Sequence, residues 1–478
     1  MAPIQRRLRF AGSMALLLAS VGASAKVSPE EAADLGLTGT KLTPVGAIRA
    51  GNADGTIPAW TGGITQAPAD FQPGGWYPTP FGDDQVLFTV DAGNYEAYRE
   101  QLTPGVIALL EKYPDDFRLN VYPTRRSASY PQWLYEGSIK NAVTTDWCTP
   151  SSGNSREERC LDTSTYQRGV AFPIPKTGGQ LAWNTTFYFF GIHYIMEGNG
   201  FNAYADGSYA AFKQRDIWYN VGYETPEKKP TGDFFTRNGG ALYCDSIEDM
   251  YPPRSAGQVF GGCLYFKDTD FDAYIYVPGQ RRVRKAPELG FYDSPAVGTD
   301  GLRTADMRFV FNMTSSEEWY DYAAPERKEM LIPYNNYDLA KPIASFDQIV
   351  RPGHVNSDLV RWELHRVWVL RATLKEGYRH IHPYRTAYID EDTWMGVLGD
   401  AYDADQKLWR VSALLPINYY DVPMTYKIGT FHSDLLTGRM TGGVDWPRIG
   451  ESPSPPDFKT PLDTTLFTPQ GLRKYGVR

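Results

Sequence analysis

Three of the six histidines, His365, His380 and His382, fall in one stretch from Arg361 to Trp394, RWELHRVWVLRATLKEGYRHIHPYRTAYIDEDTW. The acidic run Asp390-Glu391-Asp392 lies in it too. Two imidazoles and a carboxylate make a donor set for a catalytic divalent metal, where bound water becomes the nucleophile. His380 and His382 would share one face of an extended strand, and Asp390 or Glu391 would arrive from the next turn. However, Pro383 follows at once, KEGYRHIHPY reads as a loop, and acidic residues are ordinary in hairpin turns. His365 pairs more naturally with Glu363, on its own side of a strand, or with a neighbouring strand, as a structural histidine. The second reading of the stretch is a sheet with a polar edge, built to hold something apolar.

Other chemistry leaves weaker traces. There is no Gly-x-Ser-x-Gly and no His-Glu-x-x-His, so neither acyl transfer nor zinc proteolysis has a local signature. GNGFNA at Gly198–Ala203 has dinucleotide-loop spacing but lacks a strand before it and a helix after it. DTDFD at Asp268–Asp272 opens like a calcium loop but lacks the glycine and the distal glutamate. The basic run Arg281–Lys285 reads as a charged strand end that discourages edge pairing, or as a grip for an anionic head group.

The elements that must position these residues are mostly strands. From about residue 180 the chain alternates apolar and polar residues in short runs separated by Gly, Pro, Asn and Asp. QVFGGCLYF, DFDAYIYVP, ADMRFVFNM, KEMLIPY, YRTAYID, WMGVLGDAY and KLWRVSALL all read this way. The longest run, Arg361 to Lys375, has no break. One of its faces carries Trp362, Leu364, Arg366, Trp368, Leu370, Ala372 and Leu374, apolar but for a single arginine. Helices do not alternate with the strands, which disfavours a parallel sheet. Before residue 150 the signals are helical. Ser28, Pro29 and Glu31 form a capping box, and helices are expected at about 94–102, 104–112 and 131–143.

Composition bounds the rest. Arg6, Arg7 and Arg9, an apolar run to Ala19 and ASA at Ala23–Ala25 predict a cleavable signal peptide over residues 1–25. No cysteine lies near the cut, so a lipid anchor is not expected. Losing three arginines takes the formal charge from −8 to −11, which gives no general electrostatic reason to bind nucleic acid. Four cysteines suit an oxidising compartment. The expected pairings are the local ones, Cys148–Cys160 and Cys244–Cys263, each closing a loop and contributing roughly 3 kcal/mol. No Cys-x-x-Cys supports a cysteine metal site.

These motifs add up to a resemblance. YIYVPGQRRVRKAP, ADMRFVFN, KEMLIPYNNY and the stretch from Arg361 to Val411 resemble an envelope family, domain of unknown function 1329, described as outer-membrane-lipoprotein-sorting-protein-like. LTPVGAIRAGNADGTIPAWTGG near the start matches it too, so the resemblance spans the chain after residue 25. It implies a carrier-like fold of the Gram-negative periplasm, an open curved antiparallel half-barrel with helices across its mouth and a concave face for acyl chains. It also implies an inner-membrane exporter and an outer-membrane barrel protein as partners.

The expected fold is mainly β, of the α+β class. Residues 26–150 form a helical, loop-rich segment packed on the sheet, 151–450 the half-barrel, and 451–478 an extended Pro-rich tail. The expected function is periplasmic carriage of a lipid or other hydrophobic molecule, without cofactor, metal or catalysis, and with peripheral contact to the outer membrane open. The expected lining is Trp362, Leu364, Trp368 and Leu370 with Ile275, Phe309, Phe311, Trp394 and Trp409, and Arg366 is expected to hold a carboxylate or phosphate head group. A helix layer over the Trp face would instead make it plain core. The alternatives are a non-catalytic subunit of an envelope export system and a metal-dependent envelope hydrolase.

Overall fold

The computed structural model describes residues 26–147, 161–286, 295–296, 298–308, 310–312, 319–341, 345–444 and 456–475. The predicted leader, Cys148, Cys160 and Phe309 lie outside them. Strands dominate. The first five are β1 (Phe88–Val90), β2 (Leu119–Val121), β3 (His193–Ala203), β4 (Tyr209–Tyr219) and β5 (Ala241–Tyr251). Next come β6 (Val259–Tyr265), β7 (Asp268–Val277), β8 (Arg282–Lys285), β9 (Tyr320–Tyr322) and β10 (Glu326–Pro333). After a small hairpin, β11 (Val350–Arg351) and β12 (His354–Val355), come β13 (Arg361–Leu374), β14 (Tyr384–Asp390), β15 (Gly396–Tyr402), β16 (Leu408–Tyr419), β17 (Met424–Asp434) and β18 (Met440–Val444).

All but β11 and β12 join one open sheet, which runs from β13 through β14 to β18, then β3 to β8. Its pairs are antiparallel except β2 with β13. The unbroken run read from the sequence is β13, one residue shorter than expected. It is the hub of its end of the sheet, with β10 and β9 along one edge and β14 and β2 along the other. Beyond it the sheet rolls over, so that β10 also packs against β15 and β16. One expected strand is not formed among the described residues. Ala305–Met307 in ADMRFVFNM form a 3-10 turn, and the segment crosses the sheet instead of joining it. Its described apolar residues Met307, Val310 and Phe311 are buried, and Val310 sits against Gly399 of β15.

The helices form as their caps dictate. α1 (Pro29–Ala32) has the Ser28/Glu31 capping box. α2 (Pro104–Lys112) starts at Thr103, whose hydroxyl accepts from Val106 N. α3 (Gln132–Thr144) and α4 (Gly178–Thr186) follow, then the single turn α5 (Asp233–Thr236). Register places Trp368, Leu370, Ala387, Gly399, Ser412, His432, Gly200, Gln214, Ile247 and Phe260 on one face. Over this face lie the aromatic chain after α4, with Phe190 stacked on Tyr426 at 4.6 Å, and the described residues 298–308 and 310–312. α2 covers the opposite face of β15 and β16.

The C-terminal tail is not extended throughout. It ends in α6 (Pro469–Tyr475), which packs Leu472 against Val259 and Tyr276, while Phe467 covers Tyr219 and the Cys244–Cys263 bridge. That disulfide is formed across paired residues of β5 and β6. Its partners are 19 residues apart, so replacing both by serine is expected to cost about 3 kcal/mol in the loop-entropy account. Urea unfolding followed by tryptophan fluorescence measures this, and an unshifted midpoint would refute it.

Candidate functional site

The residues that suggested metal chemistry separate into two buried polar clusters. His380 and His382 sit with the segment that crosses the sheet. His380 Nε2 is 3.3 Å from Asp306, and Arg385 donates to the same carboxylate at 2.7 Å. His382 packs edge-on to Trp409, and burial pushes its pKa down to about 2, so it stays neutral.

The acidic triplet occupies the β14–β15 turn, as the sequence suggested, but it is buried. The cause is the N-terminal segment, which folds over the turn. Arg126 donates Nε and Nη2 to Asp392 at 2.8 and 2.6 Å and Nη1 to Ile48 O at 2.9 Å. Glu391 accepts from Ile48 N at 3.2 Å and has Arg327 and Arg366 at 3.5 and 3.7 Å. Glu363 meets Arg361 Nε at 2.5 Å and His365 Nε2 at 2.9 Å.

Among the described residues, the group able to present three metal donors together is His365, Asp390 and Asp392, within 4.8 Å. It differs from the set the sequence offered. Asp392 is already engaged by both arms of Arg126, and Glu363 takes one His365 nitrogen. Glu363, Glu391 and Asp392 pair with Arg126, Arg327, Arg361 and Arg366, with Asp84 and Glu329 adding to Arg361 and Arg366, a buried ionic clamp on the N-terminal segment. Burial, then the neighbouring Asp392, pushes both Asp390 and Glu391 above the usual carboxylate range.

A true concavity lies elsewhere on the same face, over β3 to β7 and under residues 296–308. It has a volume of about 230 Å³. Met196, Phe212, Tyr243, Ile247, Phe260 and Phe271 line it, with Gln214, Arg303, Arg308 and His432 at its polar parts. The glycines of GNGFNA make the room. A Cβ on Gly200 would lie 2.1 Å from the Phe212 ring, so the motif serves close packing across β3 and β4, not a phosphate.

The covering segment is fastened at several points. Asn202 Nδ2 donates to Gly298 O at 2.9 Å, and Arg410 Nη2 to Gly301 O at 3.0 Å. Arg439 pairs with Asp300, and Arg308 pairs with Asp245 while lying 4.2 Å over the Trp218 ring. Burial pushes Asp245 up to about 6, with Arg308 opposing the shift.

The residues singled out from the sequence do not share one concavity. Trp362 faces a small apolar space with Val106, Leu109 and Leu415, at the end where the sheet rolls over. Leu364 is half-buried and Leu370 fully buried. Trp368 stacks on Trp394 at 6.0 Å with Arg327 above it at 3.9 Å, and Trp394 Nε1 donates to Val45 O. They are core under the N-terminal segment. Arg366 is neutralised by Glu329 and Glu391 and donates to Ala50 O. Phe311 packs on Tyr322, and Trp409 donates to Asp434. Among the described residues of the predicted lining, Ile275 is paired with Phe260, which lines the cavity. Met196 was missed because Gly198, Asn199 and Gly200 disguise β3 as a turn, whereas Phe260 and Phe271 lie in runs that did read as strands but gave no sign of a cavity.

The family model described as "Protein of unknown function (DUF1329)" matches residues 89–473. An uncharacterised protein of Pseudomonas aeruginosa is 37% identical, with 98% of each chain covered. A DUF1329 family protein from Desulfovibrio piger aligns at a TM-score of 0.41 and 13% identity, covering 62% of this chain and 97% of that one. A putative outer membrane lipoprotein-sorting protein domain from Vibrio parahaemolyticus gives 0.37 and 13%, over 59% and 91% of the two chains. A LolA superfamily protein from Nitrosomonas europaea gives 0.33 and 10%, over 61% and 97%. By the family match and the full-length relative, this chain belongs to the DUF1329 family.

Proposed function

We propose that the protein is a non-catalytic envelope carrier that holds a hydrophobic molecule in the cavity over β3 to β7. The observation that carries this reading is the lining itself. Phe212, Ile247 and Phe260 are only half-buried although the sheet around them is packed. Apolar side chains left open inside a sheltered concavity gain about 25 cal/mol per Å² when a ligand covers them. The leader-like residues 1–25 support export to the periplasm. No helix among the described residues is long and apolar enough to cross a membrane.

Native mass spectrometry of detergent-free periplasmic protein tests the reading. The expected result is a mass above that of the polypeptide, lost on organic extraction. Ile247→Arg places a charge among the lining residues and should weaken retention by about tenfold or more. A bare polypeptide mass, with no uptake of added amphiphiles, would end the proposal.

A further inference from the structure

One charge in the cavity is unmatched. Arg303 lines it, yet among the described residues its guanidinium has neither an ion pair nor a hydrogen bond. Its backbone is fixed, since its carbonyl accepts from Ala296 N at 2.9 Å and Thr299 Oγ1 at 3.4 Å. The carboxylates nearby are committed elsewhere. Asp216 and Asp245 serve Arg308. Asp306 is held by Arg385 at 2.7 Å, His380 at 3.3 Å and Thr304 at 2.8 Å. Burial and the Arg308 charge push the Arg303 pKa down to about 10, which still leaves it charged at neutral pH.

His432 borders the same space, with Nδ1 2.8 Å from Ser412 Oγ. Burial, then Arg303 and Arg410, hold it well below the usual histidine range, so it is neutral and adds no second charge. Arg303 is half-buried, and a guanidinium facing a sheltered cavity without a counter-ion gains when an anion enters beside it.

We propose that Arg303 is a head-group site, holding the carboxylate or phosphate of an amphiphile whose tail lies along Phe212, Ile247, Phe260 and Phe271. This rests on the carrier reading and narrows its ligand to anionic amphiphiles.

The test uses the full chain, extracted free of endogenous lipid. Its affinities for dodecanoate, dodecyl phosphate and methyl dodecanoate are measured by calorimetry. At least one anion is expected to bind about tenfold or more tighter than the ester, and the tighter of the two identifies the head group. Arg303→Gln should bring the anion-to-ester ratio towards one, and Arg303→Lys should keep part of it. The melting temperature separates a binding role from a structural one. Removing an unmatched charge leaves Arg303→Gln at least as stable as the wild type, whereas a purely structural arginine would lower it. Equal affinities in the wild type, or an undiminished ratio in Arg303→Gln, would overturn the head-group site alone. Failure to bind all three, the ester included, would overturn the carrier reading with it.

Discussion

Arg126→Met is expected to destabilise the protein by about 3–5 kcal/mol, the range for removing one partner of a buried ion pair. The Arg126 side chain is 3% exposed and that of Asp392 equally so, so water cannot replace the lost bonds. The substitution leaves Asp392 without the two bonds it accepts from Arg126, and Glu391 loses a neighbouring positive charge. It also frees the carbonyl of Ile48, so the N-terminal segment loses one of its ties near the β14–β15 turn, while Ile48 N to Glu391 and Trp394 to Val45 O remain. Limited proteolysis should therefore cut within residues 41–64 sooner than in the wild type, and urea unfolding measures the loss. Arg126→Lys should recover only part, because an ammonium cannot make the forked contact. Arg126→Met combined with Asp392→Leu should recover most of it, because the uncompensated charge is then gone. If Arg126→Met unfolds within 1 kcal/mol of the wild type, the clamp does not hold the segment.

The clamp shows which parts of this protein a sequence discloses. Strand β13 was legible because period-two alternation over its whole length has one physical meaning, a long strand. The His365–Glu363 contact was legible for the same reason, since residues two apart on a strand share a face. The burial of Asp390, Glu391 and Asp392 was not. It depends on Arg126 and Ile48 arriving from more than 200 residues upstream, and no local pattern encodes that approach. The same holds for the Trp face of β13. Its composition announced burial but could not say whether a ligand or the N-terminal segment would cover it, and the structure places Val45 and Ala50 there. The segment at Ala305–Met307 was misread because nothing local in its apolar run distinguishes a 3-10 turn packed on a sheet from a strand within one. Arg303 carries no signal at all, since an arginine in GTDGLRTADM looks like any loop cation until its lack of a partner is seen.

Asp400 supplies the second large effect, and its sign runs with pH. It lies on β15, 2% exposed, where it accepts from Gly105 N at 3.1 Å and from the Tyr388 hydroxyl at 3.2 Å. A Cβ on Gly105 would lie 2.2 Å from the carboxylate, so the first turn of α2 meets Asp400 at contact distance. No arginine or lysine pairs with Asp400 among the described residues. Burial pushes its pKa up to about 7, against the two hydrogen bonds. The folded protein therefore keeps a proton that the unfolded chain gives up near pH 4. Stability from this group is complete below about pH 4, falls as pH rises, and is lost by about pH 7, a total of the order of 4 kcal/mol.

Asp400→Asn cannot ionise, and its amide oxygen can still accept from Gly105. The variant should match the wild type near pH 4 and exceed it by about 2–4 kcal/mol at pH 8. A residual slope should persist in the variant, because burial also pushes Glu391 and Asp390 upward and Asp245 up to about 6. Denaturant unfolding from pH 4.5 to 8 decides the matter. If Asp400→Asn is less stable than the wild type at pH 8, the ionised carboxylate is held by Gly105 and the start of α2 more strongly than burial opposes it. In that case Asp400 is a helix cap whose charge is used, and the wild-type profile should rise through the same pH interval in which burial alone would make it fall.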